Sequence, residues 1–341
     1  MARAPRMPEE LLGVPFLGRE AVDSGLLTRD QLRNRVWIRL LRGIYVSRGS
    51  EHDPAVRIAA LRLAVGDVDR VVVAGRTAAW VHGVWRPREG RPLPLEITRP
   101  SRAPGTSAAG VTRRRLALLG SPDLVRPPCG LSDLDHDIVE RDGLHLTSPV
   151  RTCFDLMRER RLVEAVVVAD AFAAESGPTP EPVGIPLLAA YCADRRGWRD
   201  VRTARAAAEL ASSASRSPQE TRLRMVVVLA GFPEPLVNVP VTDPSTGAVL
   251  AMPDLMVPDP VLTGLEYDGT HHDEGDQPTR DRTRANRLLT AAGLPLLRYD
   301  AAALRTGRER IVRDVAAVSR YRHVLPLDDA DFRTPPPRLA W

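Results

Sequence analysis

Apolar positions recur at helical spacing from Leu17 to Ser24 and stop at Gly25, and Thr28 with Gln31 three residues later forms a capping box that opens a second helix. After Asn34 the pattern changes to the alternation of WIRLLRGIYVSRG, which predicts two strands joined at Gly43. Further helices are predicted over Pro54 to Leu63, Gly75 to His82, Val150 to Arg158 and Leu162 to Ala174, with a strand at LEIT, residues 95–98. LHLTSPVRTCFDL reads as a strand entering a helix, with Ser148 as N-cap and Pro149 in the first turn. Pro178 to Pro186 is a break, and Tyr191 to Ser215 continues as an arginine-laden helical connector.

The last third has a different rhythm. Ser217 and Pro218 open a helix with Glu220 at its third position, and two β-like stretches, PLVNVPVTD and AVLAMPDLMVPD, follow around a turn at Asp243 to Gly247. VLTGLEYDG supplies another strand, a loop leads into a helix ended by Gly293, LPLLRYD returns as a strand, and a final helix covers Ala301 to Val318. The order α-β-β-β-α-β-α predicts a small mixed sheet flanked by helices.

Composition sharpens this outline. The chain has 341 residues and all 48 of its basic side chains are arginine, which excludes Schiff-base chemistry, a P-loop lysine and a lysine general base. Heavy arginine, alanine, proline and valine usage points to a GC-rich bacterial genome. Cys129, Cys153 and Cys192 are odd in number, far apart and in no C-x-x-C pair, which argues against a disulfide framework or structural zinc. With no long apolar stretch and no signal-peptide core at the start, the expected location is cytoplasmic, away from membranes. The formal charge is +5, but it is uneven. Thr28 to Arg48 holds six arginines against one aspartate, while Glu220 to Arg298 is net −4.

Helix, helix, wing is the outline of a winged helix-turn-helix, in which Arg29, Arg33, Arg35, Arg39 and Arg42 would face DNA phosphates. A small helical cap with a solvated basic face is the competing reading. His82 fits a buried or capping histidine better than a catalyst, and Arg151 with Asp155 fits an i,i+4 ion pair. In the last third, Asp254 follows Pro253 and Glu266 comes twelve residues later. Strand alternation places Glu266 and Asp268 on one side with Tyr267 opposite, and a hairpin would let Asp254 and Glu266 converge on one cation. Such a site suits phosphodiester hydrolysis, because Mg²⁺ is held by one or two carboxylates plus water and phosphate oxygens. Each residue also has a structural reading: Glu220 as a capping glutamate, Asp254 and Asp268 as turn residues, His271 and His272 as solvent-exposed, and Asp281, Arg284 and Arg287 as ion pairs along one helix.

Two resemblances extend these readings. Gly25-Leu26, Arg42-Gly43-Ile44-Tyr45, Thr77-Ala78-Ala79 to His82-Gly83, and Thr147-Ser148-Pro149-Val150-Arg151-Thr152 to Asp155 resemble the AbiEi-type antitoxin and transcriptional-regulator family. Glu220, Pro253-Asp254, Glu266-x-Asp268-Gly269, His271-His272, Asp281-x-x-Arg284 and Gly293-x-Pro295-x-Leu297-Arg298 resemble the PD-(D/E)xK nucleases, in particular the very-short-patch-repair (Vsr)-like endonucleases. Together they imply a multi-domain α/β chain: a winged helix-turn-helix over 10–50, an AbiEi-like α/β domain with its connector over 51–196, and a PD-(D/E)xK-like domain over 205–325. The second resemblance implies Asp254 and Glu266 as Mg²⁺ or Mn²⁺ ligands, Glu220 as an accessory acid, and His271 or His272 near the scissile phosphate. Arg284 and Arg287 would meet backbone phosphates. Asp268 stands where a standard member has lysine. The expected function is a DNA-binding, metal-dependent endonuclease; the alternative is a non-catalytic, antitoxin-like regulator with a degenerate nuclease fold. DNA is the expected partner, and a homodimer or a toxin or defence-system partner is compatible with the resemblance.

Overall fold

The computed structural model describes residues 7–65, 72–85, 95–98, 111–114, 137–175, 181–269 and 286–333. The chain is a mixed α/β protein that divides into two compact units, Met1–Leu156 and Met157–Trp341.

In the first unit, β1 (Phe16–Leu17) leads into α1 (Gly18–Asp23) and α2 (Arg29–Leu32), followed by β2 (Trp37–Leu41) and β3 (Ile44–Ser47). The Thr28–Gln31 capping box forms as the sequence predicts, with the Gln31 N–H donating to Thr28 Oγ1 and the Thr28 N–H donating to Gln31 Oε1. Gly25 and Gly43 take the left-handed conformation their turns require. α2 closes after four residues, a single turn. β1 joins the β2–β3 hairpin as a third antiparallel strand, in the order β1-β3-β2. Phe16 and Trp37 pack edge to face beneath it, with centroids 5.2 Å apart.

The remaining elements of this unit are α3 (Pro54–Val65), β4 (Val72–Val73), α4 (Gly75–Val81), β5 (Leu95–Thr98), β6 (Val111–Arg114), β7 (Ile138–Arg141), β8 (Leu144–Thr147) and α5 (Pro149–Arg158), whose last turn belongs to the second unit. They build a five-stranded sheet in the order β6-β5-β4-β8-β7. Leu41 and Ile44 of the hairpin share one core with Leu61, Val73 and Leu146, so the N-terminal strands are packed onto this layer. Ser148 caps α5 by accepting from the Arg151 N–H. Arg151 is fully buried and pairs with Asp155, as its spacing predicts, and also with Asp137 just before β7, a partner that spacing does not indicate.

The second unit opens with α6 (Leu162–Ala173), α7 (Ile185–Asp194), α8 (Val201–Glu209) and α9 (Pro218–Leu229). α7 begins inside the predicted break, because Pro186 is tolerated in a first helical turn, and the predicted helical connector is made of α7 and α8. A polar seam ties α6 to α9: Arg222 makes two bonds to Glu164, while buried Arg224 and Thr221 donate to Asp170. Burial holds the Asp170 carboxyl above its ordinary range despite the guanidinium of Arg224.

β9 (Leu236–Val237), β10 (Val241–Thr242), β11 (Val249–Ala251), β12 (Leu255–Val257) and β13 (Thr263–Tyr267) follow, then a helical stretch at 286–292, β14 (Leu296–Tyr299) and two further helices, Ala301–Thr306 and Arg308–Ser319. The predicted β-like stretches each split in two. Asn238 enters the left-handed region, Pro240 follows it, and Pro253 cannot donate to a ladder. As a result β10 and β11 form a separate hairpin, while the main sheet has the order β14-β13-β12-β9. The predicted last helix is interrupted at Gly307. Leu255, Val257, Leu265 and Tyr299 pack with Leu223 and Val227 of α9 and with Ile311 and Val315 on one face of the sheet. Met256 faces the other way, with Leu288 and Leu294. Among the described residues no helix is long and apolar enough to cross a membrane.

Two stability predictions follow from the buried polar groups. Arg224→Met leaves Asp170 buried without its cation and should lower stability in chemical denaturation by about 3 kcal/mol, with the Asp170→Leu/Arg224→Met double variant recovering part of it. His82 is buried at the end of α4 and donates from Nε2 to the Thr147 carbonyl at 2.8 Å, and burial pushes its imidazole down to about 4 from 6.5. A lowered histidine stabilises the fold fully above its unfolded value and loses that contribution as pH falls, so the free energy of unfolding should drop between about pH 6.5 and pH 4, by on the order of 3 kcal/mol, and His82→Gln should flatten that slope.

Candidate functional site

β12 and β13 pair antiparallel with Leu255 opposite Leu265, Met256 opposite Gly264 and Val257 opposite Thr263. One further step brings Asp254 level with Glu266. The alternation that sends Leu265 and Tyr267 into the core places Gly264, Glu266 and Asp268 on the other face, together with Met256. Pairing of these strands thus meets the condition under which the two sequence-predicted carboxylates become neighbours. The Tyr267 N–H donates to Asp254 Oδ2 at 2.7 Å and so orients that carboxylate across the strand boundary.

β14 runs parallel to β13 with Arg298 opposite Glu266. The Arg298 Nε–H donates to Glu266 Oε2 at 3.1 Å; the glutamate side chain is 13% exposed and the arginine 27%. Asp268 is exposed at the end of β13, where its N–H donates to the Tyr299 carbonyl.

Glu220 is buried in the first turn of α9. Its N–H donates to Ser217 Oγ, as the capping pattern predicts, but its carboxylate reaches past the cap to accept from the Arg216 N–H and from Asn238 Nδ2 at 2.9 Å. Asn238 in turn donates its backbone N–H to the Asp254 carbonyl at 3.0 Å. A chain of hydrogen bonds therefore runs from the α9 N-terminus through Asn238 to the residue carrying the first carboxylate.

Glu266 thus lies on the strand face opposite the core, Asp254 directly precedes β12 and Asp268 directly follows β13, and Glu220 is joined to Asp254 indirectly through Asn238. His271, His272, Asp281 and Arg284 lie outside the described residues. Arg287 is exposed on the 286–292 helix. Two participants carried no role in the sequence reading, Asn238 and Arg298. The first has a weak local signal, since asparagine enters the left-handed region readily. The second stands in the closing Gly293-x-Pro295-x-Leu297-Arg298 motif of the resemblance, but its pairing with Glu266 follows from the register of a parallel strand pair, which is not a local property of sequence.

The donor set consists of hard oxygens, which suits Mg²⁺ or Mn²⁺ rather than a thiophilic metal. Among the described residues no group of three or more His, Cys, Asp and Glu is gathered closely enough to hold a metal. Mg²⁺ asks for less, because one or two carboxylates suffice when waters and substrate phosphates complete its shell. Asp254 and Glu266 are two carboxylates of that kind on neighbouring strands.

In the first unit Arg29, Arg33, Arg35, Arg39 and Arg42 are all exposed. Arg33 lies 3.4 Å from Asp30, but both side chains are so exposed that the pair contributes little. Arg39 donates to the Leu41 carbonyl and Arg48 to the Arg35 carbonyl, which steadies two stems along the hairpin.

No family model and no curated protein matches the chain. A solved structure with some likeness is the crystal structure of RV2827C protein from Mycobacterium tuberculosis, at 14% sequence identity and a TM-score of 0.33, covering 61% of this chain and 74% of that one. A likeness of that degree does not fix the fold or the site.

Proposed function

We propose that the chain is a metal-dependent nuclease acting on DNA, with a PD-(D/E)xK-like, Vsr-like second unit and a winged-helix reader in the first. The observation that carries this reading is the antiparallel β12–β13 register, which, continued by one residue, levels Asp254 with Glu266. Asp254 and Glu266 are the residues to hold Mg²⁺ or Mn²⁺, and a cation there supplies Lewis-acid stabilisation of charge on a phosphodiester. The Tyr267 N–H fixes the direction of the Asp254 carboxylate, and Arg298 holds the Glu266 carboxylate in place. Glu220, held by Arg216 and Asn238, positions the Asp254 segment and serves as the accessory acid. His272, with His271 as its alternate, is assigned proton transfer or phosphate contact, and Asp268 lines the entrance to the face. Arg284 and Arg287 are assigned to backbone phosphates.

In the first unit, exposed Arg39 and Arg42 on the β2–β3 hairpin and Arg29, Arg33 and Arg35 before it form the basic surface for DNA. Because α2 is a single turn, the hairpin carries more of that contact than a long recognition helix does in other winged helices.

A second reading, a non-catalytic antitoxin-like regulator with a homodimeric, toxin or defence-system partner, is favoured by two observations. Glu266 already has a cationic partner in Arg298, and the lysine position is an aspartate.

Plasmid DNA incubated with Mg²⁺ decides between the two. The intact chain should nick or linearise it, and Asp254→Ala and Glu266→Ala should each lower the rate by roughly a hundredfold or more. Cutting that survives both substitutions removes the site assignment, and DNA binding without cutting under Mg²⁺ and Mn²⁺ favours the regulator. Arg39→Glu should weaken duplex binding in a gel shift by roughly tenfold and reduce its salt dependence. Unchanged affinity would place the reader elsewhere.

A further inference from the structure

We propose that Arg298 is the phosphate-contacting cation of the Asp254–Glu266 face, exchanging its carboxylate partner for a phosphodiester oxygen when substrate and cation arrive. This inference rests on the nuclease reading above. The chain contains no lysine, and the position two residues after Glu266 is Asp268, so a fixed positive charge cannot come from β13 itself. The parallel pairing with β14 supplies one from the neighbouring strand: Arg298 is the register partner of Glu266 and touches its carboxylate at 3.1 Å. Both side chains lie on the face opposite the core, because Leu297 and Tyr299, on either side of Arg298, pack inward with Leu265. Arg298 is the more exposed of the two, so its guanidinium forms the outer edge of the pair.

A guanidinium fork matches a carboxylate and a phosphate equally well in shape, and a divalent cation competes with it for the same glutamate oxygens. The exchange therefore balances charge. Before binding, Glu266 is neutralised by Arg298; afterwards Glu266 and Asp254 together would neutralise the divalent cation and Arg298 the phosphodiester. Gly264 favours the arrangement, since it leaves room for Leu296 on the same face; a Cβ there would stand 2.9 Å from Leu296 Cδ1.

The proposal has a signature with opposite signs that a merely structural role lacks. Removing Arg298 should strengthen binding of the metal alone while weakening binding of DNA. Full-length wild type, Arg298→Gln, Arg298→Met and Arg298→Lys are compared by calorimetry with Mn²⁺ alone, and by fluorescence anisotropy with duplex DNA in Ca²⁺, each after a thermal melt. Arg298→Gln and Arg298→Met should bind Mn²⁺ roughly threefold to tenfold more tightly and DNA roughly tenfold more weakly, with Arg298→Lys recovering part of the DNA affinity. If the folded variants bind both ligands as wild type does, or bind both more weakly, Arg298 does not have this role while the metal site stands. If wild type binds no Mn²⁺ and Glu266→Ala changes nothing, the nuclease reading and this inference fail together. Should Arg298→Gln not fold, Arg298→Met, whose stem keeps the apolar packing, carries the same comparison. Should neither fold, a structural role is shown and the proposal is overturned.

Discussion

The register between β12 and β13 is the constraint on which the second unit depends. Side chains alternate across a strand, so one choice of pairing sorts residues 254–268 into two sets. Leu255, Val257, Leu265 and Tyr267 go to the core built with α9 and the C-terminal helices, and Glu266 goes to the opposite face. A slip of one residue would drive the carboxylates into that core and the leucines out of it. The hydrophobic effect that fixes the fold thus fixes the candidate site as well, and neither can drift without the other.

Around that face the unit uses arginine as its only fixed cation, in two environments. Arg224 is buried against Asp170 and Leu210, where loss of the partner costs far more than the pair contributes. Arg298 sits at the edge of the sheet face with Glu266, sheltered enough to order the carboxylate and open enough to meet solvent. The buried pair is suited to hold a structure, and the half-exposed pair to change partners. In the first unit Arg151, enclosed between Asp137 and Asp155, plays the structural part, and the hairpin arginines face outward.

Local signals in the sequence translated well. The Thr28–Gln31 box, the Ser217 and Ser148 caps, the Gly25 and Gly43 turns and the strands around Leu255 and Leu265 form where side-chain chemistry places them, because each is decided within a few residues. What depended on partners far away in sequence did not. Asp137 beside Arg151, Arg298 beside Glu266 and Asn238 between Glu220 and Asp254 are set by sheet order and helix packing, which leave no mark on spacing. The splitting of the β-like stretches was foreshadowed by Pro240 and Pro253, yet alternation alone joined what those prolines divide. The histidine pair and the Asp281–Arg284 segment of the nuclease pattern lie outside the described residues, so their assignment rests on the resemblance.

The proposed site requires Asp254 and Glu266 to share one divalent cation. Anomalous diffraction from crystals of the full chain soaked in Mn²⁺ tests it directly. The expected result is a single strong peak beside the two carboxylates, at oxygen distances of roughly 2.1 Å, with Arg298 displaced from Glu266. A peak elsewhere, or none while the Glu266–Arg298 pair stays closed, would contradict it.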